Sequence, residues 1–396
     1  MLDIQFNMVE TLAIAVVVLL FGKFLRKKIN ILERFFIPAP VIGGTIFSLI
    51  LLIGHVTKLF SFEFDGILKD FFMLIFFTTI GFTASAKLLK KGGIGVAIFL
   101  FTATLLAVVQ NIVGVSLAKI FNLNPLLGLA VGSIPLTGGH GTSGAFGIVL
   151  EELGVQGAFS VAIAAATYGL ISGCLIGGPI AKKLKEKYAL EAPKETKTET
   201  SKEESNGVEA KGEEGAFEAI VVTIIAMGLG YWLAPFLKKY GIVFPIYIGP
   251  MIVAAIIRNI ADGLKRPLPL KAISITGNIS LALFLAMALM ALKLWELAAL
   301  AVPIVTILLV QTVITGIFIY FITFRLNGKD YDAAVISTGH CGFALGATPN
   351  AMANMDAFMS ENGFAPRAFF VLPIVGALFI DFTNATVITF FINIFG

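Results

Sequence analysis

The chain has 396 residues, of which 57% are hydrophobic and only 14% are charged. Soluble domains are normally about 25% charged, so this composition excludes an ordinary soluble protein and indicates an integral membrane protein. The net charge of +4 is no sign of a nucleic-acid partner, because basic residues in the loops of a membrane protein report its orientation.

Apolar runs near the length of about 20 residues that crosses a bilayer recur along the chain. They predict ten transmembrane helices at residues 8–25, 35–54, 67–88, 94–118, 156–181, 217–237, 241–260, 273–293, 298–323 and 367–393. The N-terminus carries Asp3 and Glu10 instead of a basic region, so the first run is interpreted as a helix and not as a cleavable signal. The sequence therefore predicts an all-α polytopic membrane protein.

A charged segment at 182–216 divides these helices into two groups of five. Residues 182–215 contain eight basic and nine acidic side chains and almost no large apolar ones. Such a composition cannot bury a core, so we expect a disordered cytoplasmic linker. The predicted organisation is a first repeat at 1–181, the linker, and a second repeat at 217–396.

The distribution of Lys and Arg predicts how the chain crosses the membrane, since cytoplasmic loops carry the excess of these residues. With both termini outside and the linker in the cytoplasm, 23 of the 29 Lys and Arg residues lie inside. Without the linker, the count still favours the cytoplasm by 15 to six. The first half then starts outside and the second half starts inside, so the two halves have opposite orientation.

Matching residues in the two halves support an inverted repeat. Gln110 and His140 are echoed by Gln311 and His340, at separations of 201 and 200 residues. Each match alone is weak, but their common order and the shared hydropathy plan predict two inverted five-helix repeats.

Two glycine-rich segments, Pro135–Gly144 and Ser337–Pro349, interrupt apolar sequence in the two halves. The helix-compatible residues 126–134 would rise only about 14 Å, roughly half of the hydrocarbon thickness. These lengths predict two re-entrant helical hairpins, at about 125–150 and 332–359. Ordinary surface loops are the alternative, because glycine clusters also mark simple turns.

Glycine-rich hairpin tips at membrane depth have a specific chemistry. Their backbone N–H groups converge on an anion, and the N-terminus of a short helix adds a positive dipole end. Together with nearby hydroxyls they predict a carboxylate site at Thr137, Gly138, Gly139, His140, Gly141, Thr142, Ser143, Thr338, Gly339, His340, Gly342 and Thr348. Freed backbone carbonyls suit a small hard cation such as Na⁺, so the pattern indicates a carboxylate that moves with a cation.

Polar residues within the predicted helices are candidate ion ligands. Asp381 falls near the middle of the tenth helix, where an acid costs about 2.5–3.5 kcal/mol, and Asn384 shares its face. We expect this pair to coordinate Na⁺; a structural hydrogen bond to the second hairpin is the alternative. Gln110, Asn111 and Gln311 lie mid-helix, and either face the tips as further Na⁺ ligands or join helices by hydrogen bonds.

Other functions are weaker interpretations of the same residues. His140, His340 or Asp381 allow a proton-coupled transporter of acidic amino acids or other small carboxylates. The two histidines have no Cys, Asp or Glu at ligand spacing, so no metal beyond Na⁺ and no cofactor are expected. An intramembrane hydrolase lacks its second acid, its serine scaffold and any H-E-x-x-H motif, so the chain is not predicted to be an enzyme. A channel is disfavoured because no helix carries a long polar stripe.

Several motifs resemble those of the bacterial glutamate:sodium symporter family. The resemblance extends over nearly the whole chain except the linker. It is most specific at 331–335, Gly339-His340-Cys341-Gly342-Phe343, 345–349, 353–355, Gly138-Gly139-His140-Gly141-Thr142, Gln110-Asn111, 280–290 and 292–297. Thr137 and Ser143 depart from the family, which often has Ser and Gly there, so other acidic amino acids such as D-aspartate stay open as substrates.

This resemblance implies Na⁺-coupled uptake of L-glutamate through an elevator-type mechanism, in which one part of each protomer moves against a fixed part. It also implies a multi-pass protein of the bacterial inner membrane, surrounded by lipid and assembled as a homodimer.

Overall fold

The computed structural model describes residues 2–193, 212–233, 246–296 and 300–396, and these ranges are almost entirely helical. The first half forms α1 (Met8–Lys28), α2 (Asn30–Arg34), α3 (Ala39–Thr57), α4 (Ile67–Gly81), α5 (Ala86–Ile120), a 3-10 helix (Pro125–Val131), α6 (Ser133–Leu136), α7 (Gly139–Glu152) and α8 (Ala158–Tyr188).

The described residues of the second half are also helical. They form α9 (Gly212–Tyr231), α10 (Ile248–Gly263), α11 (Leu270–Met290), a 3-10 turn (Leu294–Glu296), α12 (Ala301–Phe318), a π-helix (Ile319–Thr323), α13 (Phe324–Leu326), α14 (Tyr331–Leu345), α15 (Thr348–Asn362), α16 (Pro366–Leu378) and α17 (Ile380–Phe395).

Local sequence explains where several helices begin. The Asn7 side chain accepts hydrogen bonds from the N–H groups of Val9 and Glu10, while the Glu10 carboxylate accepts from the Asn7 N–H, which forms a capping box at α1. Asp330 caps α14 in a similar way, since its side chain accepts a 2.8 Å bond from the Ala333 N–H.

One element lies outside the predicted all-α class. Strands β1 (Leu2–Phe6) and β2 (Phe60–Phe64) pair in parallel, and their register runs from Leu2 opposite Phe60 to Phe6 opposite Phe64. The rings of Phe6 and Phe64 stack with centroids 5.4 Å apart. Aromatic residues favour strands, and packing of α1 on α3 brings the two segments to one end of the molecule.

The observed helices correct several predicted bounds. Within the described ranges, seven helices are long and apolar enough to cross a membrane, or eight if α16 and α17, bent by 51°, form one span. Helices α4 and α10 have only 15 and 16 residues, so the number of ten spans stays a prediction. Residues 182–188 continue α8 and 212–216 begin α9, so these parts of the predicted linker are helical. The remaining prediction of disorder falls largely on 194–211, outside the described residues.

The helices pack as two bundles, each of which takes elements from both halves of the chain. Bundle A consists of α1, α3, α4, α9, α10 and α11, and bundle B of α5–α8 with the first 3-10 helix, α12 and α14–α17. An apolar core joins them, in which Phe77 and Phe284 of bundle A lie in one cluster with Phe146 of bundle B.

The connection between α4 and α5 passes from bundle A to bundle B and is held by α10. The Asn259 side chain donates a 2.8 Å bond to the Ala84 carbonyl and accepts one of 2.8 Å from the Ala86 N–H. The Ser85 hydroxyl donates to Asp262 at 2.5 Å. Further along the chain, Gly93 interrupts α5 with φ 64° and ψ −161°.

Candidate functional site

The second hairpin consists of α14 and α15, which run antiparallel. Gly342 lies against α15 so closely that a Cβ on it would be 2.7 Å from the Ala351 nitrogen. The Tyr331 hydroxyl donates to the Gly363 carbonyl at 2.5 Å, which ties the start of α14 to the end of α15. The two helices are separated only by Gly346 and Ala347, which therefore form the tip.

The tip lies near the C-terminal end of the predicted segment Ser337–Pro349, and not at its Gly339-His340 pair. Thr338, Gly339, His340 and Gly342 are helical residues of α14, and Thr338 precedes Gly346 by eight residues, about 12 Å of helix. Pro349 lies in the first turn of α15 and disfavours helix at the residues before it, so the break forms there.

The displaced residues have packing roles in α14. A Cβ on Gly339 would lie 2.8 Å from the Met355 sulfur, so this glycine allows α15 to approach. The His340 Nδ1 lies 3.0 Å from the Thr323 hydroxyl, which belongs to the π-helix. Thr348 alone of the predicted second-hairpin set adjoins the tip, and its hydroxyl donates to the Gly376 carbonyl at 3.2 Å.

The first hairpin, residues 125–152, contains two interruptions. Gly132 has φ −103° and ψ −136° and separates the 3-10 helix from α6. Thr137 and Gly138 separate α6 from α7 and form the tip. Gly139 begins α7 with φ +62°, a conformation that L side chains rarely adopt.

The remaining predicted residues of the first hairpin lie in the first turns of α7 and face different neighbours. His140 is 6% exposed and its Nε2 lies 3.0 Å from the Thr167 hydroxyl of α8. A Cβ on Gly141 would be 3.0 Å from the Phe76 ring of bundle A. Thr142 packs beside Gly138, and Ser143 is fully buried.

The two tips meet. A Cβ on Gly139 would lie 3.2 Å from the Gly346 carbonyl oxygen, so the start of α7 directly adjoins the second tip. The bond from Thr348 to Gly376 brings the bend between α16 and α17 to the same place. Three interruptions of helix, from distant parts of the chain, therefore converge within bundle B.

Four buried amide side chains, Gln110, Asn111, Gln311 and Asn384, surround these interruptions, and we call them the amide cluster. Gln110 joins both hairpins, because its Nε2 donates to the Ala344 carbonyl at 2.8 Å and its Oε1 accepts from the Thr137 hydroxyl at 2.8 Å. Gln311 donates to the carbonyls of Gln110 and Val131 at 2.7 and 3.2 Å. Gln110 and Gln311 thus join helices by hydrogen bonds, and Gln110 in addition reaches the first tip through Thr137.

Ser133 is the centre of the cluster, and sequence reasoning missed it. Its N–H donates to Asn111 Oδ1 at 2.8 Å, and its carbonyl accepts from Asn384 Nδ2 at 3.0 Å. Its hydroxyl, Gln311 Oε1 and Asn384 Oδ1 are buried and have no hydrogen-bond partner among the described residues. A buried unpaired polar atom costs about 1–3 kcal/mol, and Asn111 Nδ2 of the same cluster is unpaired as well, so the cluster has unused capacity for a polar or ionic ligand. The sequence carried no distinguishing signal for Ser133, because it stands within an apolar run.

Asp381 does not belong to this cluster, although it is three residues from Asn384. Its side chain lines a cleft of about 710 Å³ between the bundles, with Ala377 and Leu378 on one wall and Thr79, Arg258, Ser274 and Asn278 among the residues of the other. The expected pair of Na⁺ ligands is therefore divided between the cleft and the interior of bundle B.

Arg258 is a second residue whose importance the sequence did not reveal. It is 8% exposed, and its Nε donates to Asp262 at 3.0 Å. Asp262 follows Arg258 by four residues, and this spacing on a helix is the sequence feature that could have predicted the ion pair. Among the residues that the structure describes, no group of three or more His, Cys, Asp or Glu side chains is arranged to hold a metal ion.

The chain is similar to known transporters along nearly its whole length. The family described as sodium/glutamate symporter matches residues 4–364. The sodium/glutamate symporter of Haemophilus influenzae is 41% identical over 389 residues, which are 97% of this chain and 96% of that protein. The sodium/glutamate symporter of Escherichia coli K12 is 41% identical over 387 residues, 96% of each chain.

Proposed function

This chain belongs to the sodium/glutamate symporter family, and we propose that it carries L-glutamate into the cell with Na⁺ as the coupling ion. The protein is a transporter and not an enzyme, and it needs no cofactor. Its predicted place is the bacterial inner membrane, with both termini outside and the linker in the cytoplasm.

The observation that carries this proposal is the meeting of the two hairpin tips beside the bend of the last helix. Backbone N–H groups at the starts of α7 and α15 provide donors for a carboxylate, while the hydroxyls of Thr137 and Thr348 already donate to Gln110 and to the Gly376 carbonyl. The tips are here Thr137–Gly139 and Gly346–Thr348. Of the twelve residues predicted to bind substrate, those deeper in α14 support the tip by packing.

The coupling ion is proposed to bind at the amide cluster. Asn384 Oδ1, Gln311 Oε1 and the Ser133 hydroxyl are unpaired oxygens, and Na⁺ is a hard cation that prefers oxygen ligands. Gln110 is the link to the substrate, since it contacts the first tip through Thr137 and the second through Ala344. An ion that orders this cluster therefore orders both tips, and this is how binding of Na⁺ favours binding of glutamate.

The division into bundles supports an elevator mechanism. Bundle B holds both tips, the amide cluster and Asp381, so it can carry ion and substrate as one body. Its first hairpin meets bundle A through Gly141 and Gly144, which lie against the rings of Phe76 and Phe284. Such apolar contacts with small residues present no hydrogen bonds that a sliding motion must break.

The finer architecture is part of the same proposal. Ten membrane spans in two inverted repeats, each with a re-entrant hairpin, are consistent with bundles that take elements from both halves. The homodimer rests on the resemblance to the family and is tested by the mass of the purified protein in lipid nanodiscs.

The decisive experiment uses the purified protein in liposomes. An inward Na⁺ gradient should drive accumulation of labelled L-glutamate, and a panel of D-glutamate, L-aspartate and D-aspartate defines the substrate range. A proton gradient without Na⁺ should drive no uptake; uptake under that condition alone would establish the proton-coupled alternative. Absence of Na⁺-dependent transport of every acidic amino acid would refute the proposal.

A further inference from the structure

Asp381 occupies an unusual position for a membrane carboxylate. It lies in the first turn of α17 and lines the cleft between the bundles. Among the described residues, no hydrogen-bond donor and no cationic side chain pairs with its carboxylate, since Arg258 pairs with Asp262. An acid without a partner inside a membrane-spanning helix costs free energy, so this position is suited to a cationic ligand.

The cleft brings Asp381 to the proposed substrate site. Ala377 and Leu378, which also line the cleft, directly follow Gly376, whose carbonyl accepts from Thr348 at the second tip. Phe76 lines the opposite wall and touches Gly141 in the first turn of α7. The cleft that Asp381 lines therefore lies next to the second tip and to the first turn of α7, although the tip residues themselves do not line it.

The charges around this space are complementary to an amino acid with an acidic side chain. At neutral pH, glutamate has two carboxylates and one ammonium group. The starts of α7 and α15 offer backbone N–H donors to the carboxylates, and Lys271 lines the facing wall of the cleft, where Arg258 is paired with Asp262. Asp381 is the one acidic residue among the described residues around the cleft, and thus the group suited to the ammonium.

The competing role, that of a Na⁺ ligand, fits Asp381 less well. The unpaired oxygens of Asn384, Gln311 and Ser133 lie in the interior of bundle B, away from the cleft. The Thr83 hydroxyl lines the cleft beside Asp381 but donates to the Leu378 carbonyl at 3.1 Å. The other side-chain oxygens of the cleft, those of Thr79, Ser274 and Asn278, lie on the wall that bundle A forms, so a Na⁺ ion held between them and Asp381 would tie the two bundles together, whereas an ammonium group brings its own three donors.

We propose, building on the function proposed above, that Asp381 binds the α-ammonium group of the substrate and so selects amino acids over dicarboxylates of the same length. The residue travels with bundle B and holds the ammonium while the tips hold a carboxylate. Na⁺ then occupies the amide cluster as a separate site.

The test compares L-glutamate with glutarate, which has the same two carboxylates and no ammonium. In NaCl, the wild-type protein should bind glutamate far more tightly than glutarate. Asp381→Asn should weaken glutamate binding by about 10- to 100-fold, the range for loss of a hydrogen bond to a charged group, and leave glutarate binding equal or tighter. The affinity for Na⁺ without substrate should be unchanged, as measured by the dependence of thermal unfolding on NaCl concentration.

Three outcomes would overturn the proposal. These are an equal loss of affinity for both ligands in Asp381→Asn, a loss of Na⁺ binding in that variant without substrate, and wild-type protein that binds glutarate as tightly as glutamate. The last needs no variant, so the proposal stays testable if Asp381→Asn fails to fold. Wild-type protein without Na⁺-dependent glutamate binding would instead refute the proposed function itself.

Discussion

Replacement of Asn384 by Ala tests the proposed sodium site most directly. The change removes a 3.0 Å bond to the Ser133 carbonyl, worth about 1 kcal/mol, and also an unpaired buried oxygen that costs about 1–3 kcal/mol. Because these effects oppose each other, we expect the variant to be within about 1–2 kcal/mol of the wild type without Na⁺.

The difference should emerge when Na⁺ is added. A lost ligand should weaken Na⁺ binding by about 10- to 100-fold, by analogy with the cost of altering the surroundings of a metal site. At Na⁺ concentrations far above the dissociation constant, bound Na⁺ should then add about 1.4–2.8 kcal/mol less to the free energy of unfolding of the variant than to that of the wild type. Thermal unfolding of purified protein in NaCl, with choline chloride to hold ionic strength constant, measures this stabilisation.

Asn354→Ala is the matched control. Its amide donates to the carbonyls of Gly173 and Thr338 at 3.0 and 3.2 Å, which are bonds of the same kind in α15 and outside the amide cluster. This variant should lose stability equally with and without Na⁺. If Asn384→Ala keeps the full gain from Na⁺, or if Asn354→Ala loses as much of it, the sodium site is not at the amide cluster.

Three further changes separate binding from motion. Gly139→Ala should reduce glutamate affinity in equilibrium binding, because its φ of +62° and the nearby Gly346 carbonyl both oppose a Cβ. Gly154→Ala is the control: its φ is +87° but the space around it is open, so it should lower the free energy of unfolding by about 1 kcal/mol and leave glutamate affinity unchanged. Gln110→Leu leaves the Thr137 hydroxyl and the Ala344 carbonyl unpaired, so it should lower the free energy of unfolding by about 2–4 kcal/mol. It should also abolish the Na⁺ dependence of glutamate binding. Glutamate binding that stays Na⁺-dependent would contradict the coupling role. Asn259→Ala should remove the hydrogen bonds that hold the α4–α5 connection and alter the glutamate uptake rate in liposomes several-fold, with unchanged affinities for glutamate and Na⁺. An altered affinity would show that these hydrogen bonds act on the binding site itself.

The helices that carry the site show why some of it was predictable. Runs of apolar residues on either side of the glycine-rich segments were sufficient to predict hairpins at about 125–150 and 332–359, close to the observed 125–152 and 331–362. The polar residues Gln110, Asn111, Gln311 and Asn384 were identifiable because polar groups inside apolar helices need partners or ligands. These are local properties of composition and spacing.

The exact tips were not predictable in the same way. Gly138 lies at a break between two helices, whereas Gly339 and Gly342 lie within a helix and allow a neighbouring helix to approach closely. Only the position of the neighbouring helix distinguishes these two roles of glycine. Ser133 stood in an apolar run and had no distinguishing pattern, because its importance comes from the approach of Asn111 and Asn384.

The sequence by itself determined that this is a polytopic helical membrane protein with two interrupted hairpins and a small set of buried polar residues, because insertion into lipid constrains every apolar run locally. Only the tertiary structure decided that the tips meet at Gly139 and Gly346, that the chain divides into two bundles, and that Asp381 faces a cleft while Asn384 faces Ser133. These features depend on contacts between residues hundreds of positions apart, and the direction in which a side chain points is set by the helix that packs beside it.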